Sequence, residues 1–450
     1  MNPAKWKKLL PILAFFSANF ISQTGSALTT LAIPWFVLQT TGSVVKTGVS
    51  AFFTIVPGII ANLLGGVLVD RVGYKRMSVI SDLLAGIGIL LIPLFYLTIG
   101  LPFFVLLVLV FLANLLTGPG GTARISLVPD LAEIADMPLE RATSISQGIG
   151  HISVLVGAPL AGVLIFLIGT NNLLWIDALS FGLSALIVGA AVPIVVKTAS
   201  AQQAQSVEQE PQVKPVEQMA PKPATKRSFL TDFLDGLRFI VADKLILAIL
   251  LTLIITNMLD VSFTGVVTPF YVKQLFGNAV VLGLIDAAFV AAALLGTILY
   301  GVIGHRLPRA LTLAGALVFV GLRFWVFALE PQLAFLLLIT AVSGFASSPL
   351  NPIIFTIAYE RIPSDMRGRV LGIGMGCAGL GMPLGVLASG YLLNALGIPK
   401  TLLIMGACYL LVTLALLLNP EIYKTKKNAA DQPTATQPTL TIDEVAQVEG

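Results

Sequence analysis

Four carboxylates stand in stretches of this chain that are otherwise free of charge: Asp82, Asp177, Asp260 and Asp286. Ionisable groups placed in hydrocarbon are costly and mark ion or substrate pathways. Asp260 is the sharpest case. It lies in LTLIITNMLDVSFTGVV, midway between Lys244 and Lys273, with Asn257 one turn earlier on the same helical face. A carboxyl in such surroundings can take up and release a proton, so Asp260 is read as a proton-coupling or cation-recognising group. Asp177 and Asp286 stand a turn or two from the outer ends of their stretches, where a functional acid and a merely hydrated one are both consistent with the pattern. His151, one of two histidines, follows Gly148 and Gly150. An imidazole can relay a proton; a buried, hydrogen-bonded histidine is the competing reading. Arg323 and Glu330, seven residues apart, lie two turns along one face and suggest an ion pair at the outer end. Asp82 and Arg124 fall near inner ends, where an arginine can snorkel.

The elements that must position these groups are membrane helices. The 450-residue chain is 56% hydrophobic and only 11% charged, against about 25% charged in soluble domains, and its mean hydropathy is +0.92. Apolar runs long enough to cross a bilayer recur throughout, which predicts an all-α membrane protein. Twelve spans are expected, near 10–38, 46–69, 77–98, 102–124, 142–168 and 172–196, then 245–272, 279–303, 309–329, 332–356, 370–397 and 399–419. The basic, greasy start runs too far to be a cleaved signal peptide and reads as the first span. The domains are then a six-helix bundle over 1–196, a polar, disordered cytoplasmic linker over 197–228, an amphipathic surface helix over 229–244, a second six-helix bundle over 245–419 and a disordered cytoplasmic tail over 420–450.

With the N-terminus inside, only Lys46, Lys273 and Lys400 fall in outer loops, while Arg124 and Arg323 fall within spans. All the other basic residues of the 27 lie on the inner side, so both termini are expected in the cytoplasm of a cell whose plasma membrane holds the protein. The halves echo each other: Pro34 and Pro269 are 235 residues apart, and the same offset carries Gly66 to Gly301, Arg71 to Arg306 and Asp260 back to Gly25. Paired six-helix repeats predict a site between the halves. Cys377 and Cys408 suggest neither a disulfide framework nor a metal site. There is no P-loop, HExxH or GxSxG, so ATP-driven or hydrolytic chemistry has no visible apparatus and the chain is not expected to be an enzyme.

The stretch GVLVDRVGYKR, at 66–76, resembles the signature loop of the major facilitator superfamily. Gly66, Leu68, Asp70, Arg71, Gly73, Lys75 and Arg76 match it, and Tyr74 departs from it. The resemblance places the loop between spans 2 and 3 and implies twelve spans in two pseudo-repeats. It further implies a latch in which Asp70, with Gly66, Arg71 and Gly73, meets the positive N-terminus of span 11, strengthened by Arg367 and Arg369. That contact would close the inner face and hold the outward-open state. GIGHISVLVGAPLAG resembles in part the span-5 signature of proton antiporters through Gly148, Gly157, Pro159 and Gly162, and DALSF at 177–181 resembles a phrase of the drug-efflux and macrolide-efflux branch. On these grounds spans 1, 4, 7 and 10 line the cavity, with Asn19, Gln23, Asn114, Asn257, Asp260, Phe345 and Asn351 as its candidates. So few polar groups suit a hydrophobic or cationic substrate better than a sugar.

The implied function is proton-coupled efflux of hydrophobic or amphipathic small molecules by alternating access, with no cofactor beyond the proton gradient. The implied partners are a small-molecule substrate and the lipid bilayer, without nucleic acid, and the chain acts as a monomer. The alternatives are a lipid, siderophore or nutrient carrier of the same fold, and a receptor or scaffold that has lost transport.

Overall fold

The computed structural model describes residues 3–193, 229–363 and 366–424. The expected linker over 197–228 and most of the tail lie outside the described residues, as do the side chains at 62–67 and 70, and with them the Asp70 carboxylate of the expected latch. Among the described residues, ten helices are long and apolar enough to cross a membrane. One of these, Arg367–Leu417, is broken at Gly397, whose φ of 75° no helix interior contains, and so makes two crossings. The helix Pro3–Thr41, more polar because it carries Asn19, Ser22, Gln23 and Thr24, packs against its neighbours as a further crossing.

Twelve spans result. Spans 1 to 6 are Pro3–Thr41, Val44–Val72, Tyr74–Thr98, Phe103–Ile134, Leu139–Ile168 and Thr170–Ala191. Spans 7 to 10 are Lys244–Leu275, Ala279–Ile303, Arg309–Ala328 and Leu333–Arg361, and spans 11 and 12 divide Arg367–Leu417. A shorter helix, Phe229–Ala242, precedes span 7 and packs on the start of span 11, where its Gly236 lies beside Ile373 and Arg369. Short polar breaks separate the spans and cap them. Asp243 accepts from the backbone amides of Leu245 and Ile246 at 2.9 and 3.0 Å, and Asn278 accepts from that of Val280 at 2.9 Å. Gly73 turns the chain between spans 2 and 3 with φ of 89°, the left-handed region that only glycine enters cheaply.

With twelve crossings, both ends of the described chain lie on one face. The contacts that join the halves gather at the opposite face. There spans 2 and 11 meet backbone to backbone, a Cβ on Gly48 falling 2.6 Å from the Val386 carbonyl oxygen and 3.3 Å from Gly390 Cα. Spans 5 and 8 meet in the same way, a Cβ on Gly162 falling 2.7 Å from the Ala279 carbonyl oxygen and 3.3 Å from Gly283 Cα. Small residues permit such close approach. Lys273 at the end of span 7 donates to the Leu38 carbonyl near the end of span 1, a polar contact across the same seam. The molecule is closed on the face away from its ends.

On the face that carries the ends, ion pairs knit each half to itself. Arg361 donates to Asp243 and to Glu421, each at 2.9 Å, Arg309 donates to Glu360 at 2.7 Å, and Lys8 pairs with Asp136 at 2.6 Å. Arg367, expected in the latch, donates to the carbonyls of Ile362 and Tyr359 in its own half. Deeper in the first half, Arg124 does not snorkel outward. It turns inward to Asp82, which also accepts from Ser184 at 2.8 Å, and donates to Ser22 at 3.0 Å. This network ties spans 1, 3, 4 and 6. The Asp82 side chain is 3% exposed, so removing its partner strands a buried charge. Arg124→Ala is expected to cost about 3–5 kcal/mol of stability, whereas exchanging Asp82 and Arg124 together for apolar residues of similar volume is expected to restore most of it. Thermal unfolding of the purified protein in detergent measures both.

Candidate functional site

Span 7 is not one regular helix. Its first segment, Lys244–Ser262, passes through a π-helical turn over Phe263–Val267 before the last segment, Thr268–Leu275. Single π turns widen a helix and recur at functional sites. Asp260 lies one turn before this one, and its carboxylate is ion-paired with Arg323 of span 9. The Arg323 side chain is 3% exposed. Its guanidinium lies 4.7 Å from the ring centre of Phe263, 5.1 Å from Phe324 and 5.6 Å from Phe289. Ring faces carry negative potential and stabilise a desolvated cation. Its Nε meets no acceptor, so the aromatic cage and Asp260 together hold the charge.

The pair forms part of the wall of a cavity of ≈ 460 Å³ between the halves. Ala27, Thr30 and Val154 contribute from the first half, and Phe263, Asp286 and Phe289 are among those from the second. The Asp260 side chain keeps 35% of its surface open. Arg323 is thus the residue that sequence reasoning misplaced. Spacing alone paired it with Glu330, which lies beyond the end of span 9 in a left-handed turn with φ of 50°. Arg323 instead reaches across to span 7, a contact between residues 63 apart that depends on how two helices are rotated.

A second cavity, ≈ 240 Å³, lies alongside and shares Thr30, Val261, Thr264 and Gly265 with the first. Its acid is Asp177 of span 6, fully buried, which accepts from Thr29 and, at 3.2 Å, from Ser180. The carboxylate fills the space beside Gly25: a Cβ built there would lie 2.3 Å from Asp177 Oδ1. Gly25 is the repeat counterpart of Asp260. Where the second half carries its acid on span 7, the first half leaves a gap on span 1 and fills it from span 6.

The other expected site residues are scattered. Asn257, three residues before Asp260 and so ~60° away around the helix, donates at 3.3 Å to the Ala378 carbonyl of span 11 and lines a separate cavity with Asn351. It does not share a cavity with Asp260. Of the cavity candidates, Asn114 lines the Asp177 cavity. Asn19 is buried and its side-chain oxygen accepts from Gln23 at 2.9 Å, a contact within span 1. Phe345 faces a pocket between spans 8, 9 and 10. His151 is exposed on span 5, with no hydrogen-bond partner among the described residues, and it lines neither the Asp260 cavity nor the Asp177 cavity. Gly157 packs on Ala27 of span 1, and Pro159 and Gly162 pack on span 8, while nothing crowds Gly148.

The Gly25 gap generates a test. Gly25→Ala places a methyl where Asp177 and Ser180 stand and is expected to cost about 1–3 kcal/mol. Gly58→Ala, in span 2, meets open space and is expected to be neutral or mildly stabilising. Thermal midpoints of the two variants, measured side by side, check the pair.

The chain is 27% identical over 420 residues to the multidrug efflux pump Tap of Mycolicibacterium fortuitum, covering 92% of this chain and 96% of that one. It is 22% identical over 423 residues to macrolide efflux protein A of Streptococcus pyogenes, covering 93% and 98%. The crystal structure of the nucleoside transporter NupG superimposes with a TM-score of 0.72 at 14% identity, over 92% of this chain and 99% of that one. The Major Facilitator Superfamily profile matches residues 15–277 and 250–445. Twelve spans in two repeats, a cavity between them and this match together place the chain in the Major Facilitator Superfamily, as a membrane transporter and not an enzyme.

Proposed function

We propose that the protein exports hydrophobic or amphipathic small molecules in exchange for protons, with the Asp260–Arg323 pair as the coupling element. The observation that carries this reading is the pair's position. A buried arginine is neutralised by a carboxylate that is itself open to the cavity between the halves. A proton arriving on Asp260 removes the partner of Arg323, and a buried unpaired cation is costly. The two states of that carboxylate therefore favour different packings of spans 7 and 9, and a substrate in the same cavity feels the change. The two relatives named for efflux support the direction of transport.

The face that carries the chain ends is the cytoplasmic one, by the distribution of Lys and Arg, and the membrane is the plasma membrane. Closure on the far face then presents the cavity to the cytoplasm. In the opposite state the Asp70 latch closes the inner face. A helix-terminus contact of this kind is worth ~0.3–2 kcal/mol. A proton crossing a potential of ~100 mV supplies ~2.3 kcal/mol, so one proton suffices to reset it. The protein works as a monomer, binds no nucleic acid and uses no cofactor besides the gradient.

In a pump-deficient host, expression is expected to lower accumulation of a fluorescent amphiphile, and an uncoupler is expected to abolish the effect. Asp260→Asn is expected to bring accumulation back to that of cells without the protein. Uncoupler-insensitive export, or wild-type export by Asp260→Asn, would remove the pair from this role. Asp70→Ala is expected to raise the accessibility of the inner face, read as labelling of cysteines introduced along the inner half of span 11; unchanged labelling would sink the latch.

A further inference from the structure

The four acids deep within the spans are not equivalent. Asp82 is held by Arg124, Ser22 and Ser184; Asp177 by Thr29 and Ser180; Asp260 by Arg323. Asp286, half-buried in the wall of the ≈ 460 Å³ cavity, has neither a hydrogen bond nor an ion pair among the described residues. The cavity offers it none. Four threonines line the same space, and each spends its hydroxyl proton on its own helix: Thr30 on the Ser26 carbonyl, Thr264 on that of Asp260, Thr268 on that of Phe263 and Thr340 on that of Leu336. The other ionisable residues that line the cavity, Arg323 and Asp260, are paired with each other.

We infer that Asp286 is a recognition site for a single positive charge on an otherwise apolar substrate, distinct from the coupling pair. This rests on the reading of the central cavity as the substrate site. The cavity's charge is one carboxylate in excess, its walls are aliphatic and aromatic, and its hydroxyls have no protons left to give. A ligand that suits it brings one cation and an apolar body and needs no donors from the protein. A tertiary or quaternary ammonium or a phosphonium meets that description, whereas a sugar or a peptide does not. The volume falls within the range of pockets that hold drug-sized molecules. The site takes one charge and not two. The second carboxylate is already committed to Arg323, and a second cationic centre entering beside it would meet the guanidinium.

Binding of tetraphenylphosphonium, a permanent monocation that can neither donate nor accept a hydrogen bond, tests the site. Titration of the purified full-length protein in lipid nanodiscs, without a gradient, is expected to give saturable binding. Asp286→Asn is expected to weaken it by about tenfold or more, since a cation–carboxylate contact in low dielectric exceeds that equivalent, and Asp286→Glu is expected to keep it. On the wild-type protein a bis-quaternary alkane of similar apolar bulk is expected to bind more weakly than the monocation. This comparison decides the matter even if the asparagine variant does not fold. No saturable binding, equal affinity for wild type and a folded Asp286→Asn, or a bis-cation that binds as tightly as the monocation would each overturn the inference. Because no gradient is present, these outcomes stand apart from the fate of proton-coupled export, which the uncoupler experiment decides.

Discussion

A fully buried charge inside a membrane protein must be neutralised where it stands, and the pairing of Arg323, 3% exposed, with Asp260 is where this chain meets that demand at its centre. The arginine is not tolerable alone. The guanidinium is walled in by Phe263, Phe289 and Phe324, which stabilise a cation but cannot accept its hydrogen bonds. The carboxylate completes the arrangement from span 7. The π turn that begins at Phe263 sets the register here, because it places Phe263 against both Phe324 and Phe327 at ring-centre distances of 5.1 and 5.0 Å. Backbone irregularity, aromatic packing and electrostatics therefore converge on one turn of one helix.

The first half answers the same constraint differently. It has no arginine beside Gly25 and relies on hydroxyls: Thr29 and Ser180 hold Asp177, and a glycine makes the room. Its arginine, Arg124, lies elsewhere, locked with Asp82 into a network that joins four helices. The first half thus keeps its deep ion pair within its own helices, while the second carries its deep ion pair at the wall of the central cavity. That division suits a transporter in which one bundle serves as a frame and the other responds to what enters.

Much of the architecture was legible in the chain because hydropathy and the placement of Lys and Arg report directly on spans and loops. Asp260 was legible too, as a carboxylate with no local reason to be there. Its partner was not. The seven-residue spacing of Arg323 and Glu330 is a signal within one helix, whereas the real contact depends on the relative rotation of two helices, which a pattern along one strand of sequence does not encode. Asn257 failed for a related reason: three residues of separation share a flank, and the cavity walls divide that flank in two. The Asp177–Gly25 relation had a faint trace, since the repeat offset set Gly25 opposite Asp260, and an empty position opposite an acid invites a search for what fills it. The π turn left no trace that residue spacing could show.

The seam at the closed face has a mechanical meaning. Gly48 lies on Gly390 and Gly162 on Gly283, so at these points the halves touch through main-chain atoms, where neither glycine carries a side chain to interlock. Interlocked residues would have to climb over one another before the bundles could part, and a row of ion pairs would have to be rehydrated. The two glycine contacts, one between spans 2 and 11 and one between spans 5 and 8, can instead separate without either step at those points, as the two lips of a clasp do.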